Sequence, residues 1–190
     1  MKKIIIILVA ICSLKFTFPP LGSGLLLAQN TRLWATYYGG TGVDWGYSVA
    51  TDAAGNVYLA GQTDSPANIA SGGFQNVYGG GLDDAFLVKF NGGGNRLWAT
   101  YYGGSGVDVV NCVTTDAAGN VYLAGYTDSP SNIASGGFQN SFGGGIEAFL
   151  VKFNATIGNR LWATYYGGMG IDKAFSVATD AIGNVYLSGY

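Results

Sequence analysis

The chain has 190 residues, of which 32 are glycine and none is histidine, and its formal net charge is −2. Glycine is more than twice as frequent as the usual ~7%, but four prolines and 14% aromatic residues exclude a collagen-like helix and a disordered linker. The absence of histidine excludes Ser-His and Cys-His nucleophile pairs and removes the commonest metal ligand. We therefore expect a packed chain with many turns.

The amino-terminal residues predict a signal peptide. Two lysines follow Met1, and residues 4–14 form an apolar run that is shorter than the ~20 residues a membrane span needs. Cleavage is expected after Ala28, so that residues 1–28 are the signal peptide and residues 29–190 are exported to the cell surface or beyond. Removal of three lysines leaves six basic and eleven acidic residues, a net charge of −5 that disfavours nucleic acid as a partner.

The two cysteines predict no disulfide within the exported chain. Cys12 lies in the signal peptide, and Ile11 before it stands where a lipobox has a small residue, so a lipid anchor is not expected. Cys112 is then the single exported cysteine. It occupies the repeat position of Ser48 and Ser176, which predicts a small buried strand residue rather than a reactive thiol.

The sequence contains nearly three copies of a 64-residue repeat. The sequence RLWATYYGG begins at Arg32, Arg96 and Arg160, and TDAAGNVYLAG begins at Thr51 and Thr115 and returns as TDAIGNVYLSG. DSPANIASGGFQN also recurs after 64 residues with one change. A long fixed period is typical of a repeat architecture.

Each unit predicts four β-strands and no helix, because no run has a 3.6-residue apolar period. In the first unit these are strand A (47–52), strand B (56–63), strand C (85–91) and strand D (95–104), with glycine-rich turns between A and B and between C and D. Strand C is apolar on both faces, as expected for a sheet packed between two similar sheets. The predicted fold is all-β, with β-propeller blades of four antiparallel strands.

The predicted order along the exported chain is D, ABCD, ABCD, AB. Its parts are a strand D at 31–40, blades at 46–104 and 110–168, and a partial blade at 174–190. A propeller ring needs about four to eight blades, so we expect an incomplete propeller that is a fragment of a longer one. A head-to-tail oligomeric ring is the alternative.

The motifs DAFLVKFN, LWATYYGG and TDAAGNVYLAG, in this order over residues 31–190, resemble the bacterial seven-bladed beta-propeller repeat (SBBP) family. The resemblance implies a propeller fold in an exported or surface-displayed bacterial protein. Members of the family mostly lack a defined biochemical activity. Two whole blades depart from the seven that the family name implies.

The candidate binding face is the one where the D-to-A loop (39–46) and the B-to-C loop (64–83) emerge, since rigid scaffolds carry function on loops. Asp83 and Glu147 are taken as counterparts on this face. The candidate ligand-binding residues are Asp44, Trp45, Asp64, Asn68, Gln75, Asp108, Asp128, Asn132, Gln139 and Asp172.

The aspartates of this face have two interpretations. Asp44, Asp108 and Asp172 recur once per unit and would form a ring of carboxylates, but one acid per unit without a calcium-loop motif favours turn hydrogen bonds over a metal site. Asp52 and its counterparts open the A-to-B turn and predict backbone capping. No metal and no cofactor is expected.

The tryptophans also have two interpretations. The tryptophan of each strand D predicts packing between blades, whereas Trp45 has Val109 and Lys173 as counterparts and is the most suggestive contact residue. Near-identical units favour a non-catalytic module that binds a protein or a glycan, because catalysis needs different residues in complementary roles. The alternative is a carboxylate-dependent propeller enzyme of glycosidase or lyase type.

Overall fold

The computed structural model of the protein describes residues 5–8 and 33–190. The predicted cleavage site after Ala28 and the residue Cys12 lie outside the described residues. Strand β1 (Ile5–Leu8) pairs antiparallel with β2 (Ala35–Tyr38), which is the predicted first strand D. β1 lies within the predicted signal peptide, so its cleavage would leave this edge of β2 unpaired. No helix in the described part of the chain is long and apolar enough to cross a membrane.

Every regular element of the described residues is a β-strand, and two four-stranded antiparallel sheets follow β2. Blade 1 has the strand order β3-β4-β5-β6, with β3 (Asp44–Thr51), β4 (Val57–Thr63), β5 (Asp84–Phe90) and β6 (Arg96–Tyr102). Blade 2 repeats it with β7 (Asp108–Thr115), β8 (Asn120–Thr127), β9 (Glu147–Asn154) and β10 (Arg160–Tyr166). The third unit is the pair β11 (Ala174–Thr179) and β12 (Val185–Gly189). The predicted strand order and the incomplete-propeller fold are thus confirmed.

Strand A begins earlier than predicted. Pairing between β3 and β4 starts at Asp44 and Thr63, and a bulge between Gly46 and Ser48 shifts the register. The bulge lets three residues of the D-to-A loop join the strand before the apolar alternation begins. The same shift occurs in β7 and in β11.

The two blades pack face to face through an apolar core. Tyr102, at the end of β6, is fully buried, and its ring centroid lies 5.3 Å from that of Phe149 in β9. Its hydroxyl donates to the Ile133 carbonyl at 2.6 Å, which pairs the one polar atom of the side chain. One repeat earlier, Tyr38 of β2 lies 5.5 Å from Phe86 of β5. Contacts between neighbouring sheets therefore recur from one repeat to the next.

The A strands are also linked from unit to unit. The Thr115 hydroxyl donates to the Thr51 carbonyl at 2.9 Å, and the Thr179 hydroxyl donates to the Thr115 carbonyl at the same distance. Cys112 lies on β7 and is half-buried, with its Sγ 3.9 Å from the Val177 carbonyl of β11. The cysteine therefore sits at the junction of two A strands.

The B-to-C loop does not stay at one end of the blade, which corrects the expectation that the whole of 64–83 forms a binding face. Ser71 exchanges two backbone hydrogen bonds with Ala99 of β6, each 2.9 Å long. Further along, the Tyr101 N–H donates to the Gln75 carbonyl at 2.9 Å. The loop thus covers the outer edge of strand D, whose backbone groups would otherwise be unpaired.

Candidate functional site: the long-loop rim

The antiparallel order gives each blade two ends. The long-loop rim is formed by the D-to-A loops (39–43, 103–107, 167–173) and by the parts of the B-to-C loops next to the strand ends (64–68, 78–83, 128–132, 142–146). The short-turn rim is formed by the A-to-B turns (52–56, 116–119, 180–184) and the C-to-D turns (91–95, 155–159). All ten predicted ligand-binding residues belong to loops or strand ends of the long-loop rim or, for Gln75 and Gln139, to the adjoining loop segment.

Asp44 and Asp108 hold the D-to-A loops in place. Both are buried. Asp44 accepts from the Gly40 N–H at 2.9 Å, from the Thr63 hydroxyl at 2.5 Å and from the Ser65 hydroxyl at 3.1 Å. In blade 2, Asp108 accepts from the Gly104 N–H at 2.8 Å, and from hydroxyls of Thr127 and Ser129. These carboxylates bind their own loop, as the turn interpretation predicts.

Asp172 repeats the first of these bonds, since the Gly168 N–H donates to it at 2.9 Å. Asp64 and Asp128 are exposed, and each accepts at 2.5 Å from the N–H of a residue in the D-to-A loop, Val43 and Val107 respectively. Their charge lies at the surface of the rim while one oxygen fixes the loop.

Asn68 and Asn132 have φ values of 70° and 69°. This left-handed conformation is one that asparagine tolerates better than other side chains, and both residues are exposed. An asparagine in a loop is the feature of the sequence from which this turn could have been predicted. The two asparagines therefore form a left-handed turn in each B-to-C loop.

Gln75 and Gln139 tie the B-to-C loop to strand D. The Gly103 N–H donates to the Gln75 Oε1 at 3.1 Å, and the Gln75 Nε2 donates to the Val77 carbonyl at 3.0 Å. Gln139 makes the equivalent bonds with Gly167 and Ser141. Both side-chain amides are thus used within the scaffold.

Trp45 is 37% exposed on β3, where it pairs with Gln62. Its counterpart Val109 is buried in blade 2. The other counterpart, Lys173, lies with its Nζ 4.1 Å from the centre of the Tyr126 ring. The surface of the rim thus differs between the three units at the position of Trp45.

Two buried carboxylates, Asp84 of blade 1 and Asp108 of blade 2, lie close together where the blades meet. The sequence analysis did not predict this pair. Thr63 pairs with Asp84, and Thr127 pairs with Glu147, so the counterpart of Glu147 is Asp84 and not Asp83. A Cβ built on Gly103 would lie 2.5 Å from the Asp84 Oδ1 and 2.7 Å from the Asp108 Oδ2. The two carboxylates therefore face the same glycine from neighbouring sheets.

Asp84 is fully buried, and its Oδ1 has no hydrogen-bond partner, whereas its Oδ2 accepts from the Gly79 N–H at 2.6 Å. Burial raises the pKa of Asp84 to about 7 against the lowering effect of the Gly79 bond, and the charges of Asp108 and Asp83 raise it further. Such a group could act as an acid near neutral pH, but Asp84 is not accessible to a substrate in solution. No cluster of three or more metal-ligating side chains occurs among residues 5–8 and 33–190.

The short-turn rim has the opposite electrostatic character. Asp52 accepts from the N–H groups of Ala54 and Asn56 at 3.0 Å and 2.9 Å, the capping that the turn motif predicts. Burial alone would raise the pKa of Asp52, but hydrogen bonds from Asn56 and Tyr58 and the charge of Lys89 lower it below its ordinary value. The carboxylates of this rim are held ionised.

Charge is divided unequally between the rims of the described chain. Eight acids and one base lie at the long-loop rim: Asp44, Asp64, Asp83, Asp84, Asp108, Asp128, Glu147, Asp172 and Lys173. Three acids and four bases lie at the strand ends of the short-turn rim: Asp52, Asp116, Asp180, Lys89, Arg96, Lys152 and Arg160. The long-loop rim is therefore the acidic end of the molecule.

Comparisons with known proteins agree with this architecture. The chain is 30% identical over 184 aligned residues, 83% of its length, to a WD repeat-containing protein of Acanthamoeba polyphaga mimivirus, and it spans about 13% of the length of that relative. The model of the SBBP beta-propeller repeat family matches residues 33–69 and 97–133. The first match begins just before β2 and the second begins in β6, and each ends in the B-to-C loop of the following sheet, so each crosses a blade boundary. The chain is thus a beta-propeller repeat protein that carries the SBBP repeat.

Proposed function

We propose that this chain is a non-catalytic, exported β-propeller scaffold that binds a partner through the long-loop rim. The observation that carries the proposal is the unequal charge of the two rims, which places eight carboxylates at the long-loop rim, four of them (Asp64, Asp83, Asp128 and Asp172) at least partly exposed. Repeated weak contacts on a rigid scaffold add up to useful avidity. The charge favours a basic protein over a neutral glycan as the partner.

The same geometry disfavours the enzyme alternative. A glycosidase or lyase needs two carboxylates beside an open cleft, one of them as an acid. The group with the pKa suited to that role, Asp84, is fully buried beside Asp108. The recurring acids Asp44 and Asp108 are buried, and Asp44 is hydrogen-bonded to its own loop. In this proposal the buried carboxylates serve as internal braces, and the exposed Asp64 and Asp128 face the partner.

Export rests on the amino-terminal composition. A lysine pair followed by an eleven-residue apolar run favours secretion. Because the bulky Ile11 precedes Cys12, we do not propose a lipid anchor at this cysteine. We further propose that the 64-residue units belong to a longer propeller, with an oligomeric ring as the second possibility. Amino-terminal sequencing of the secreted product is expected to begin at Gln29, and retention of Met1 would contradict export by cleavage.

The binding proposal is tested with immobilised poly-L-lysine as the probe and poly-L-glutamate as the control polymer. We expect binding to poly-L-lysine that the Asp64→Asn Asp128→Asn double variant weakens about tenfold, because two exposed charges leave the rim while the amide oxygens still accept the loop N–H bonds. The matched control is Asp116→Asn Asp180→Asn, which removes the same charge from the short-turn rim and is expected to bind almost like the wild type.

Equal weakening by both double variants would mean attraction to net charge alone and would contradict a binding face. A signal on a glycan array that Trp45→Ala removes, with none on poly-L-lysine, would replace the basic partner with a glycan. Turnover of a polysaccharide that Asp44→Asn abolishes in a folded variant would overturn the non-catalytic assignment.

A further inference from the structure

The junction of the two complete blades contains a buried carboxylate oxygen without a hydrogen-bond partner. Asp84 of β5 and Asp108 of β7 are both fully buried there. Both oxygens of Asp108 accept hydrogen bonds, Oδ1 from the Thr127 hydroxyl and Oδ2 from the Ser129 hydroxyl. Asp84 Oδ2 accepts from the Gly79 N–H at 2.6 Å, whereas Asp84 Oδ1 is unpaired. Buried polar atoms are rarely left in this state, so the unpaired oxygen points to a missing partner.

The unpaired oxygen exists because blade 1 has the shorter of two acidic side chains at this position. Blade 2 has Glu147 there, also fully buried, and its Oε1 accepts from the Gly143 N–H at 2.5 Å. The Gln139 amide nitrogen lies 3.3 Å and 3.2 Å from the two Glu147 oxygens. The equivalent amide nitrogen of Gln75 lies 3.5 Å from Asp84 Oδ2. Glutamate is thus satisfied within its own blade, and aspartate is not.

Glycines surround the unpaired oxygen with oxygen atoms and without side chains. A Cβ built on Gly103 would lie 2.5 Å from Asp84 Oδ1 and 2.7 Å from Asp108 Oδ2. The two oxygens are therefore close enough together for one ion with oxygen bonds of about 2.3–2.6 Å to contact both. A Cβ built on Gly79 would lie 2.9 Å and 2.5 Å from the carbonyl oxygens of Gly103 and Gly104. The carbonyl groups of the D-to-A loop are thus near the carboxylates.

We propose that Asp84 and Asp108 bind a calcium ion that joins blade 1 to blade 2, with the carbonyl groups of Gly103 and Gly104 as further ligands. The ion gives the unpaired oxygen a partner and neutralises two carboxylates that are buried side by side. Calcium suits a dry site of carboxylate and carbonyl oxygens, whereas magnesium gives up its water molecules reluctantly. The ion enters when the D-to-A loop (103–107) opens locally.

This site differs from the ring of one carboxylate per unit that the sequence analysis weighed. It needs an aspartate at the start of strand C next to an aspartate at the start of the following strand A, and blade 2 has Glu147 at the first of these positions. We therefore expect one ion, between blade 1 and blade 2. The site does not use the exposed carboxylates of the proposed binding face, so either proposal can fail without the other.

The test measures the thermal unfolding of the full 190-residue chain at pH 8 and about physiological ionic strength, with EDTA, calcium chloride or magnesium chloride. We expect about 2 mM calcium to raise the Tm by roughly 5 °C and the same concentration of magnesium to raise it by less than about 1 °C. Calorimetric titration is expected to give about one calcium ion per chain. An unchanged Tm in calcium, or an equal rise in magnesium, would overturn the proposal.

A variant that conserves charge separates a built site from general attraction. Asp84→Glu is expected to abolish the calcium-dependent rise in Tm, because the longer side chain bonds within its own blade as Glu147 does. Asp84→Asn removes the charge and is expected to abolish the rise as well, which keeps the test valid if glutamate is not accommodated. The matched control Asp64→Asn removes an exposed charge from the same rim and is expected to retain the rise.

The variants also define the contrary result. A rise in Tm that persists in both Asp84 variants would mean that surface carboxylates attract the ion, and the proposed site would be wrong. Loss of the rise in Asp64→Asn would lead to the same conclusion. Binding to poly-L-lysine is measured separately, so a failure of the calcium site is distinguishable from a failure of the proposed partner-binding face.

Discussion

The long-loop rim and the short-turn rim are built from the same repeats, yet the pKa of a buried carboxylate is raised at one rim and lowered at the other. At the short-turn rim, Asp116 accepts bonds from the Asn120 side chain and the Tyr122 hydroxyl at 2.8 Å and 2.9 Å and lies 3.5 Å from the Lys152 ammonium. At the long-loop rim, Asp84 has one bonded oxygen, one unpaired oxygen and a second buried carboxylate nearby. Burial raises the pKa at both sites, but donors and a lysine reverse the shift at Asp116 only.

The two ends therefore differ in electrostatic balance. The short-turn rim is electrostatically balanced and gains stability from its charges, as expected for turns that only connect strands. The long-loop rim keeps excess negative charge, part of it buried, at a cost in stability. Such a cost is typical of a surface that has another use, and we expect the two rims to respond differently to substitution.

The largest effect is expected for Gly103→Ala at the long-loop rim. The new methyl group would meet the Asp84 and Asp108 oxygens at 2.5 Å and 2.7 Å, so the free energy of unfolding should fall by roughly 3 kcal/mol. The control at the other rim is Gly119→Ala, which has open space around it and a φ of +78°, and should cost roughly 1 kcal/mol of backbone strain. Urea denaturation measures both, and equal losses would contradict the buried pair.

Asp84→Asn is expected to change how stability depends on pH. Because the pKa of Asp84 is raised to about 7, its proton stabilises the fold fully below the ordinary pKa of ~3.9, and this contribution is lost as the pH rises through about 7. The amide stays neutral, so at pH 8 the variant should exceed the wild type by roughly 2 kcal/mol and match it near pH 4. The exposed Asp64→Asn is the control, and an unaltered pH profile in Asp84→Asn would contradict the raised pKa.

Asp116→Asn should have the opposite sign. The lowered pKa of Asp116 means that its charge stabilises the fold above the ordinary pKa, and that this contribution is lost as the pH falls through the lowered value. The variant should therefore lose about 1 kcal/mol at pH 7 and converge with the wild type in strong acid. Thermal unfolding between pH 2 and pH 7 measures this, and a stabilised variant at pH 7 would remove the distinction between the rims.

The smallest effect is expected for Asp64→Asn. The aspartate is exposed, and an asparagine oxygen can still accept from the Val43 N–H, so the free energy of unfolding should change by less than about 0.5 kcal/mol. Chemical denaturation at pH 7 checks this. A loss as large as that of Asp116→Asn would show that the surface charge itself braces the loop, and that it is not available for a partner.

The blades and their strand order follow directly from the sequence, because glycine turns and apolar strands recur every 64 residues and each recurrence repeats the same local signal. Capping by Asp52 was predictable for the same reason, since its partners Ala54 and Asn56 are close in the chain. The role of Gln75 was not, because its Oε1 partner Gly103 lies 28 residues away, directly after β6. Long-range pairing leaves no local pattern.

The missed carboxylate pair has a different origin. Asp83 and Asp84 are adjacent, and a one-residue deletion in the next unit leaves a single acid, so the sequence alone does not decide which of the two Glu147 matches. Sheet register decides it, because Glu147 pairs with Thr127 as Asp84 pairs with Thr63. The partner Asp108 comes from the neighbouring sheet, and only packing brings the two together.

The segment of the B-to-C loop that lies along strand D affects how such repeats behave in a cell. Hydrogen bonds from Ser71 and Gln75 occupy the outer edge of β6, and Ser135 and Gln139 do the same for β10. Nearly identical sequences synthesised in tandem are prone to exchange strands and to grow into fibrils through such edges. Each of the two blades carries its own cover for this edge, so these backbone groups of β6 and β10 are not free to pair with a strand of another copy.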